Sequence, residues 1–599
     1  MKVASHKKGS YFDPNNYRGI SLISNLGKCF TSIMTERLVY CLENGELLHC
    51  SQAAYRKKSR TTDNMFILKS IINQHCFTQK NKLYTCFVDF KKAFDSVWRE
   101  ALFLKLLKLG IGGRYYSLLK SMYSETTACI KLANGLSESF NMNLGIKQGD
   151  CLSPILFNIF INDIHEIFDN TCDGVSVGNI NLNHLLFADD LILISQSAVG
   201  LQKCLDKLNN YCHKWALSIN TTKTKALTFH RYGKRKQNAF NIGGVPIEDV
   251  NQYTYLGVPF NTSGCFTTVE NDLKGKATKA SFQLHSALNS NVHVKTSLHS
   301  KLFDTLLKPI VTYGSEIWFP NKHSKLYDDL ANVLQNIDKI PCENFHHAFC
   351  KRTLGVFKSS PNAATRNELG RLPLTFSVTV QVIKYWVHIL NKPSDSLLRQ
   401  AYVSELNACS KWTHFIKTVL DACGFSSAWT LQTPLDPISL HTFKSRLQKL
   451  FFDVHLNAKM PEYIIKSFEE QVDTHNNKIN CASYLNLNIP LIHRKNISRL
   501  RLQSTRLGIV TGRYTRPVTP REERLCKTCN EIDDEKHILF TCKTTENIRQ
   551  KALSEGDAVI TNFSNLSVDE QFELLIYPRN ISVAMLSGKL ITSASNTRR

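Results

Sequence analysis

The chain has 599 residues, 43% hydrophobic and 21% charged, a globular balance that excludes a small disulfide-stapled protein and extended disorder and leaves room for three or more domains. Lysine and arginine outnumber aspartate and glutamate by 74 to 50, so the formal charge of +24 points to a polyanionic partner, nucleic acid first and anionic membrane second. A membrane span is excluded, because the longest apolar stretch, Leu152 to Phe168, contains Asn158, Asn162, Asp163, His165 and Glu166.

In chain order, the N-terminus lacks the apolar core of a signal peptide, and 19 mostly scattered cysteines suit a reducing compartment, so an intracellular protein of nucleus, cytoplasm or both is expected. Asn16-Tyr17-Arg18-Gly19-Ile20-Ser21-Leu22-Ile23 leads into a helical pattern ending near Leu42, with Phe30, Ile33, Met34 and Leu38 spaced for one face. The basic loop Tyr55-Arg56-Lys57-Lys58-Ser59-Arg60 precedes a helix over Asn64 to Gln74, capped from within Thr61-Thr62-Asp63. Cations before a helix N-terminus suit phosphate; a solvated basic turn fits equally well.

Tyr84-Thr85-Cys86-Phe87-Val88-Asp89-Phe90 reads as a buried strand carrying an acid at its end. Two helices and two strands are expected before Gly145-Ile146-Lys147-Gln148-Gly149-Asp150, a glycine-bounded turn opening a long apolar helix. Its glycines would let backbone approach a ligand, and Gln148 offers a donor and an acceptor to a base or sugar. Leu185 to Ile194 is then two apolar runs around Asp189-Asp190, a hairpin lifting two carboxylates to a sheet edge. One Mg²⁺ takes one or two carboxylates plus substrate phosphates; the alternative is an ordinary acidic turn. Asp89, 100 residues before Asp189, supplies a third acid if a sheet unites the strand ends. Gly200 to Leu217 follows as an amphipathic core helix, then Asn220 to Lys225, a strand Ala226 to Phe229, a basic loop Arg231 to Lys236, and Tyr253 to Val258.

The stretches NYRGISLI, YRKKSRTTDN, FVDFKKAFDSV, GIKQGDCLSP, LLFADDLILIS, NTTKTKALTF and YTYLGV, in this order over about residues 14 to 262, resemble the reverse transcriptase of non-LTR retrotransposons of the long interspersed element type. The resemblance implies an α+β right-hand polymerase with fingers, a palm whose antiparallel sheet carries the acids, and a helical thumb. It implies that Asp89, Asp189 and Asp190 hold two Mg²⁺, that Phe94 excludes a ribose 2′-hydroxyl, and that Gln148 and Gly149 line the template and nucleotide pocket. Arg56 and Arg60 would face the incoming triphosphate and Lys223 the pyrophosphate. The implied partners are an RNA template, a DNA primer or target and dNTPs. Complete elements carry an upstream endonuclease, which thirteen residues before the first motif cannot hold, so its lack is expected.

The remainder is expected to be helical. Thr267 to Leu288 and Ser297 to Tyr313 would form the thumb, with Leu298, Leu302, Leu306, Leu307 and Ile310 as its apolar stripe. Prolines 361, 373, 393, 434 and 437 break an accessory region in which Arg494, Lys495, Arg499, Arg501, Arg506 and Arg513 either track a nucleic-acid backbone or form a solvated face. Cys526, Cys529, His537 and Cys542, spaced Cys-x2-Cys-x7-His-x4-Cys, suit a closed structural Zn²⁺; a redox pair would leave His537 and Cys542 unexplained. The expected segments are fingers and palm over 1–262, thumb over 263–340, helical accessory region over 341–515, zinc module over 516–550 and a tail over 551–599. The leading expectation is an RNA-directed DNA polymerase. The alternatives are an inactive, truncated or co-opted nucleic-acid-binding remnant and, more weakly, a maturase-like RNA-binding protein.

Overall fold

The computed structural model describes residues 1–599 apart from 7–8, 133–134, 169–172, 232–237, 289–294, 331, 457–470, 474–477 and 598–599, so most of the basic loop Arg231 to Lys236 lies outside the described residues. The chain forms two compact units, one of Met1–Thr267, Pro320–Lys322 and Trp386–His414, the other of Thr268–Phe319, His323–Tyr385 and Phe415–Arg599. The first boundary falls five residues beyond the expected 262, and Trp386–His414, expected inside the 341–515 region, folds with the first unit.

The first unit is built on a six-stranded sheet. Its strands are β1 (Leu83–Val88), β2 (His184–Phe187), β3 (Asp190–Ser195), β4 (Lys225–Phe229), β5 (Phe240–Ile242) and β6 (Val245–Asp249), in the order β2-β3-β1-β4-β6-β5. Every pairing is antiparallel except β4 with β6. Leu191, Ile192, Leu193 and Ile194 of β3 are all buried, as a continuous apolar run requires when both faces of a strand are covered. Three helices contribute to that cover: α1 (Asn25–Asn44), α3 (Ser153–Ile161) and α4 (Ala198–Lys214), with α2 (Thr61–Ile72) lying between the first two in sequence. Met34, Leu38 and Leu42 of α1, Leu156, Phe157 and Phe160 of α3, and Leu201, Leu205 and Leu208 of α4 share one core with Leu186, Leu191 and Leu193. The buried side of α1 runs through Thr31, Met34, Leu38 and Leu42, so the expected face is half right: Phe30 and Ile33 are exposed.

Residues from far along the chain complete this unit. Helix α5 (Leu397–Asn407) packs on α2, where the buried Lys69 ammonium pairs with Glu405 and Ser70 Oγ donates to the Ala401 carbonyl at 2.8 Å. Burial pushes Lys69 below its usual range, and the Glu405 charge offsets part of that. At the start of α2, Asp63 accepts from the Arg60 backbone N–H at 3.0 Å and meets His388 Nε2 at 3.3 Å. The cap was expected within Thr61-Thr62-Asp63, and the helix begins at Thr61 rather than Asn64.

His184 opens β2 and is buried between Ser51 Oγ (2.7 Å) and Asn183 Oδ1 (2.7 Å). Burial, then the neighbouring His49 and His165, push it down to about 3. An unfolded chain therefore takes up a proton here below about pH 6.5 while the folded one stays neutral, so this contribution is complete above pH 6.5 and declines as pH falls toward 3. At pH 5 the loss is about 2 kcal/mol. Urea midpoints at pH 7 and 5 should differ less in His184→Gln than in wild type; equal differences would refute the assignment.

The second unit is helical among its described residues, apart from the strand pair Val472–Asp473 and Lys478–Ile479. Its first helix, Val269–Leu288, is followed by Thr296–Leu302, a π-helical turn Phe303–Leu307 and Lys308–Val311. Phe303, Leu307 and Val311 are buried, so of the expected stripe Leu307 faces the core, whereas Leu298 and Leu306 are exposed. A buried polar cluster lies deeper. Glu343 Oε1 accepts from the backbone and hydroxyl of Thr375, both at 2.7 Å; burial works to raise this carboxyl, but His346 and Arg366 outweigh it and hold it at about 2. The basic run is largely spent internally. Arg501 pairs with Glu368 (2.5 Å), Arg499 donates to the Gly355 carbonyl (2.8 Å) and Arg513 to Gln503 (2.7 Å), while Arg506 is exposed. Of the expected run, Arg499, Arg501 and Arg513 are thus engaged by the protein's own acceptors, while Arg506 faces solvent.

Candidate active site

Strand register brings the acids together. Val88 of β1 pairs with Leu191 of β3, so Asp89, next after Val88, lies beside Asp190, next before Leu191, at one end of the central strands. Phe187 pairs with Asp190, leaving Ala188-Asp189 as a two-residue turn in which Ala188 has φ +56°. Asp190 is exposed, yet desolvation by its surroundings, then the charges of Asp189 and Asp89, push it up to about 6. Asp189 is also raised, by burial first and by Asp89, with Arg18 opposing. Acids raised by each other are stabilised as carboxylates by a divalent cation, which is the fit expected of a metal site. Their oxygens are neighbours rather than a converged set: among the described residues only the C-terminal Cys/His group brings its ligand atoms within 4.8 Å of one another.

Asp89 is held from the segment before β4. Asn220 Nδ2 donates to its Oδ2 at 3.0 Å, the Lys223 ammonium lies 3.7 Å from the same atom, and the Asp89 N–H donates to Thr224 Oγ1 at 3.2 Å. Lys223 is thus beside the acids, with two thirds of its side chain exposed. Asn220 and Thr224 carried no expected role, although both lie in the stretch NTTKTKALTF.

Phe94 is half-buried and stacks on Phe157, centroids 4.8 Å apart and planes 17° off parallel. Its carbonyl accepts from Ile146 N–H at 2.9 Å, which sets it against the Gly145–Gly149 turn. Those glycines also let the protein's own backbone approach closely. A Cβ on Gly145 (φ +79°) would meet the Asp95 carbonyl oxygen at 2.6 Å, and one on Gly149 (φ +108°) the Ser21 carbonyl oxygen at 2.9 Å. Gln148 remains half-buried, its carbonyl accepting from Ser21 N–H at 2.7 Å.

The two loop arginines differ. Arg56 is clamped by Glu43 through Nε (3.0 Å) and Nη2 (2.8 Å) and donates to the His49 carbonyl, whereas Arg60 is exposed at the head of α2. Tyr55 (φ +58°), exposed beside Arg56, was not singled out; its hydroxyl is pushed up by burial and then by the charges of Asp189 and Asp190.

A separate group lies in the second unit. Cys526, Cys529, His537 and Cys542 place one ligand atom each within 4.8 Å of one another, a set that could hold a metal ion. The Cys529 and Cys542 sulfurs are 3.8 Å apart, the edge of a tetrahedron with Zn–S bonds of about 2.3 Å. His537 Nδ1 meets Glu531 (2.9 Å) while its buried Nε2 has no hydrogen-bond partner, the arrangement that leaves Nε2 as ligand and a carboxylate behind the ring. Asn530, at φ +58°, closes the Cys526–Cys529 knuckle.

Comparison with known proteins agrees with this geometry. Residues 5–260 match the family model described as reverse transcriptase (RNA-dependent DNA polymerase). The chain is 27% identical over 323 residues to the probable RNA-directed DNA polymerase from transposon BS of Drosophila melanogaster, covering 52% of this chain and 35% of that protein. It is 25% identical over 319 residues to the RNA-directed DNA polymerase from mobile element jockey of Drosophila funebris (51% and 33%). It is 28% identical over 268 residues to the Pol polyprotein from type-1 retrotransposable element R2 of Popillia japonica (43% and 37%). The chain thus spans about a third of the length of these relatives. The sheet edge with its three aspartates thus lies inside residues 5–260, the stretch that matches the reverse transcriptase family model and that carries most of the likeness to the polymerases of these mobile elements.

Proposed function

We propose that the protein is an RNA-directed DNA polymerase that extends a DNA primer 3′-end along an RNA template. The observation that carries this reading is the register that sets Asp89 beside Asp189-Asp190 on adjacent strands, 100 residues apart in sequence. In this reading the six-stranded sheet is the palm, the segment up to α2 the fingers, and the helices from Val269 the thumb. The accessory helices and the Cys/His module would contact nucleic acid. Two Mg²⁺ ions, when bound, supply charge that activates the primer hydroxyl and stabilises the departing pyrophosphate. The residues supply position: Asp89, Asp189 and Asp190 hold the cations, Asn220 orients Asp89, and Lys223 draws the pyrophosphate. Arg60 is the better placed of the two arginines to meet the triphosphate, because Arg56 is already paired. The donor set of the Cys/His group favours Zn²⁺. Every described cysteine is a free thiol, which supports action inside a cell, in nucleus, cytoplasm or both. Among the described residues no helix is long and apolar enough to cross a membrane.

The purified chain should make DNA on a primed RNA with Mg²⁺ and dNTPs. Folded protein that incorporates nothing on any primed RNA would refute the activity and favour the remnant reading. Phe94→Val should then admit ribonucleotides, lowering dNTP-over-rNTP discrimination by roughly tenfold or more in single-nucleotide incorporation. Unchanged discrimination would leave Phe94 as packing for Phe157.

A further inference from the structure

Gln52 lies outside every motif assigned a role, yet it touches both the acidic hairpin and the basic loop. The segment Ser51–Ala53 runs alongside β2: Leu186 N–H donates to the Ser51 carbonyl (2.9 Å), and Ala53 N–H to the Leu186 carbonyl (3.1 Å). From there the Gln52 side chain, 1% exposed, places a single oxygen, Oε1, where two backbone N–H groups converge, Ala54 at 3.0 Å and Ala188 at 3.1 Å. Two donors aimed at one atom fix it as the oxygen of the amide, whichever way the group is drawn.

Both recipients are unusual. Ala188 is a buried alanine at φ +56°, a conformation L-residues seldom adopt, and it immediately precedes Asp189. Ala54 is buried and immediately precedes Tyr55, itself at φ +58° and within the field of Asp189 and Asp190. Without Gln52 the Ala188 N–H would be buried with no acceptor in a turn already off its preferred backbone. The Gln52 amide nitrogen is buried with no hydrogen-bond partner, so the side chain keeps this place at a desolvation cost, as a residue does when its other end is needed.

We infer that Gln52 is a positioning residue for the hairpin: its Oε1 holds the Ala188-Asp189 turn in the conformation that presents Asp189 and Asp190 to a divalent cation, and ties that turn to the loop leading to Arg60. The inference rests on the polymerase reading for its effect on turnover but not for its effect on cation binding. Gln52→Met keeps the length and removes the acceptor; Gln52→Asn withdraws it by one methylene.

The test uses the full chain in three forms, wild type and the two variants. Hydrogen exchange should quicken about tenfold in peptides spanning 53–55 and 187–189 of Gln52→Met, while β1 stays protected. Mn²⁺ binding, read by EPR as the fraction that Asp189→Ala removes, should weaken roughly tenfold, and the Mg²⁺ concentration for half-maximal incorporation should rise in parallel while KM for primer–template holds. Gln52→Asn should move the same way by less. The inference is overturned if either folded variant keeps the wild-type Mn²⁺ affinity and Mg²⁺ midpoint, or if activity falls only with the folded fraction. If Gln52→Met does not fold, the same readouts on Gln52→Asn decide. A wild type that binds Mn²⁺ as stated but incorporates nothing refutes the polymerase reading and leaves Gln52 to be judged by exchange and Mn²⁺ affinity.

Discussion

Asp189→Ala is expected to abolish Mg²⁺-dependent incorporation, by at least about a thousandfold, without unfolding the protein. A cation that polarises a phosphoryl oxygen and generates the nucleophile is worth several kcal/mol of barrier, and each 1.4 kcal/mol is about tenfold in rate. The fold should survive because Asp189 occupies a turn and contributes repulsion rather than packing: its charge helps push Asp190 up to about 6. Removing it relieves Asp190, so the thermal midpoint should stay level or rise, the usual sign of a site selected for chemistry against stability. Binding of the RNA–DNA duplex should persist. Incorporation above about 1% of wild type by correctly folded Asp189→Ala would place the chemistry elsewhere.

The second large effect is expected at the Cys/His group. Metal analysis should give about one zinc per chain, lost in Cys526→Ser, Cys529→Ser, and structural zinc of this kind contributes about 10 kcal/mol that acts as folding free energy. Cys526, Cys542 and His537 are buried, and the four ligand atoms lie within 4.8 Å of one another, a spacing that the metal would hold. Wild type under a chelator should therefore expose its three ligand thiols to a thiol reagent, the double variant its remaining Cys542, and both should open the segment around 525–545 to protease. Zinc content unchanged by the double variant would mean that other residues bind it.

What could be read from the sequence was local chemistry; what could not was tertiary choice. The pairing of Asp89 with Asp189-Asp190 was legible because Asp89 follows one short apolar strand and Asp189-Asp190 sit at the turn joining two others, positions that a sheet can bring to one end. The Cys/His spacing was legible because its chemistry leaves few alternatives. Gln52 was hidden, since its partners are two backbone N–H groups that only folding brings to one point. Helix α1 carries two overlapping stripes, Leu26-Phe30-Ile33-Tyr40 and Thr31-Met34-Leu38-Leu42, and periodicity alone does not say which faces the core. Arginines 494 to 513 read as a surface because charge is visible in a sequence and a carbonyl acceptor is not. The glycines at 145 and 149 signalled close approach correctly but not what approaches.

The pairing of Lys69 with Glu405, and of Phe66 with Trp412 beside it, bears on how the protein is made. The stretch that matches the reverse transcriptase family ends at residue 260, but the unit containing it does not close until α5 arrives from about 140 residues later. On the ribosome, the first unit waits with a buried-to-be ammonium unpaired while much of the second is synthesised. A fragment cut at the family boundary would lack Glu405 and leave Lys69 permanently without its partner, so it should be less stable than the same unit within the full chain.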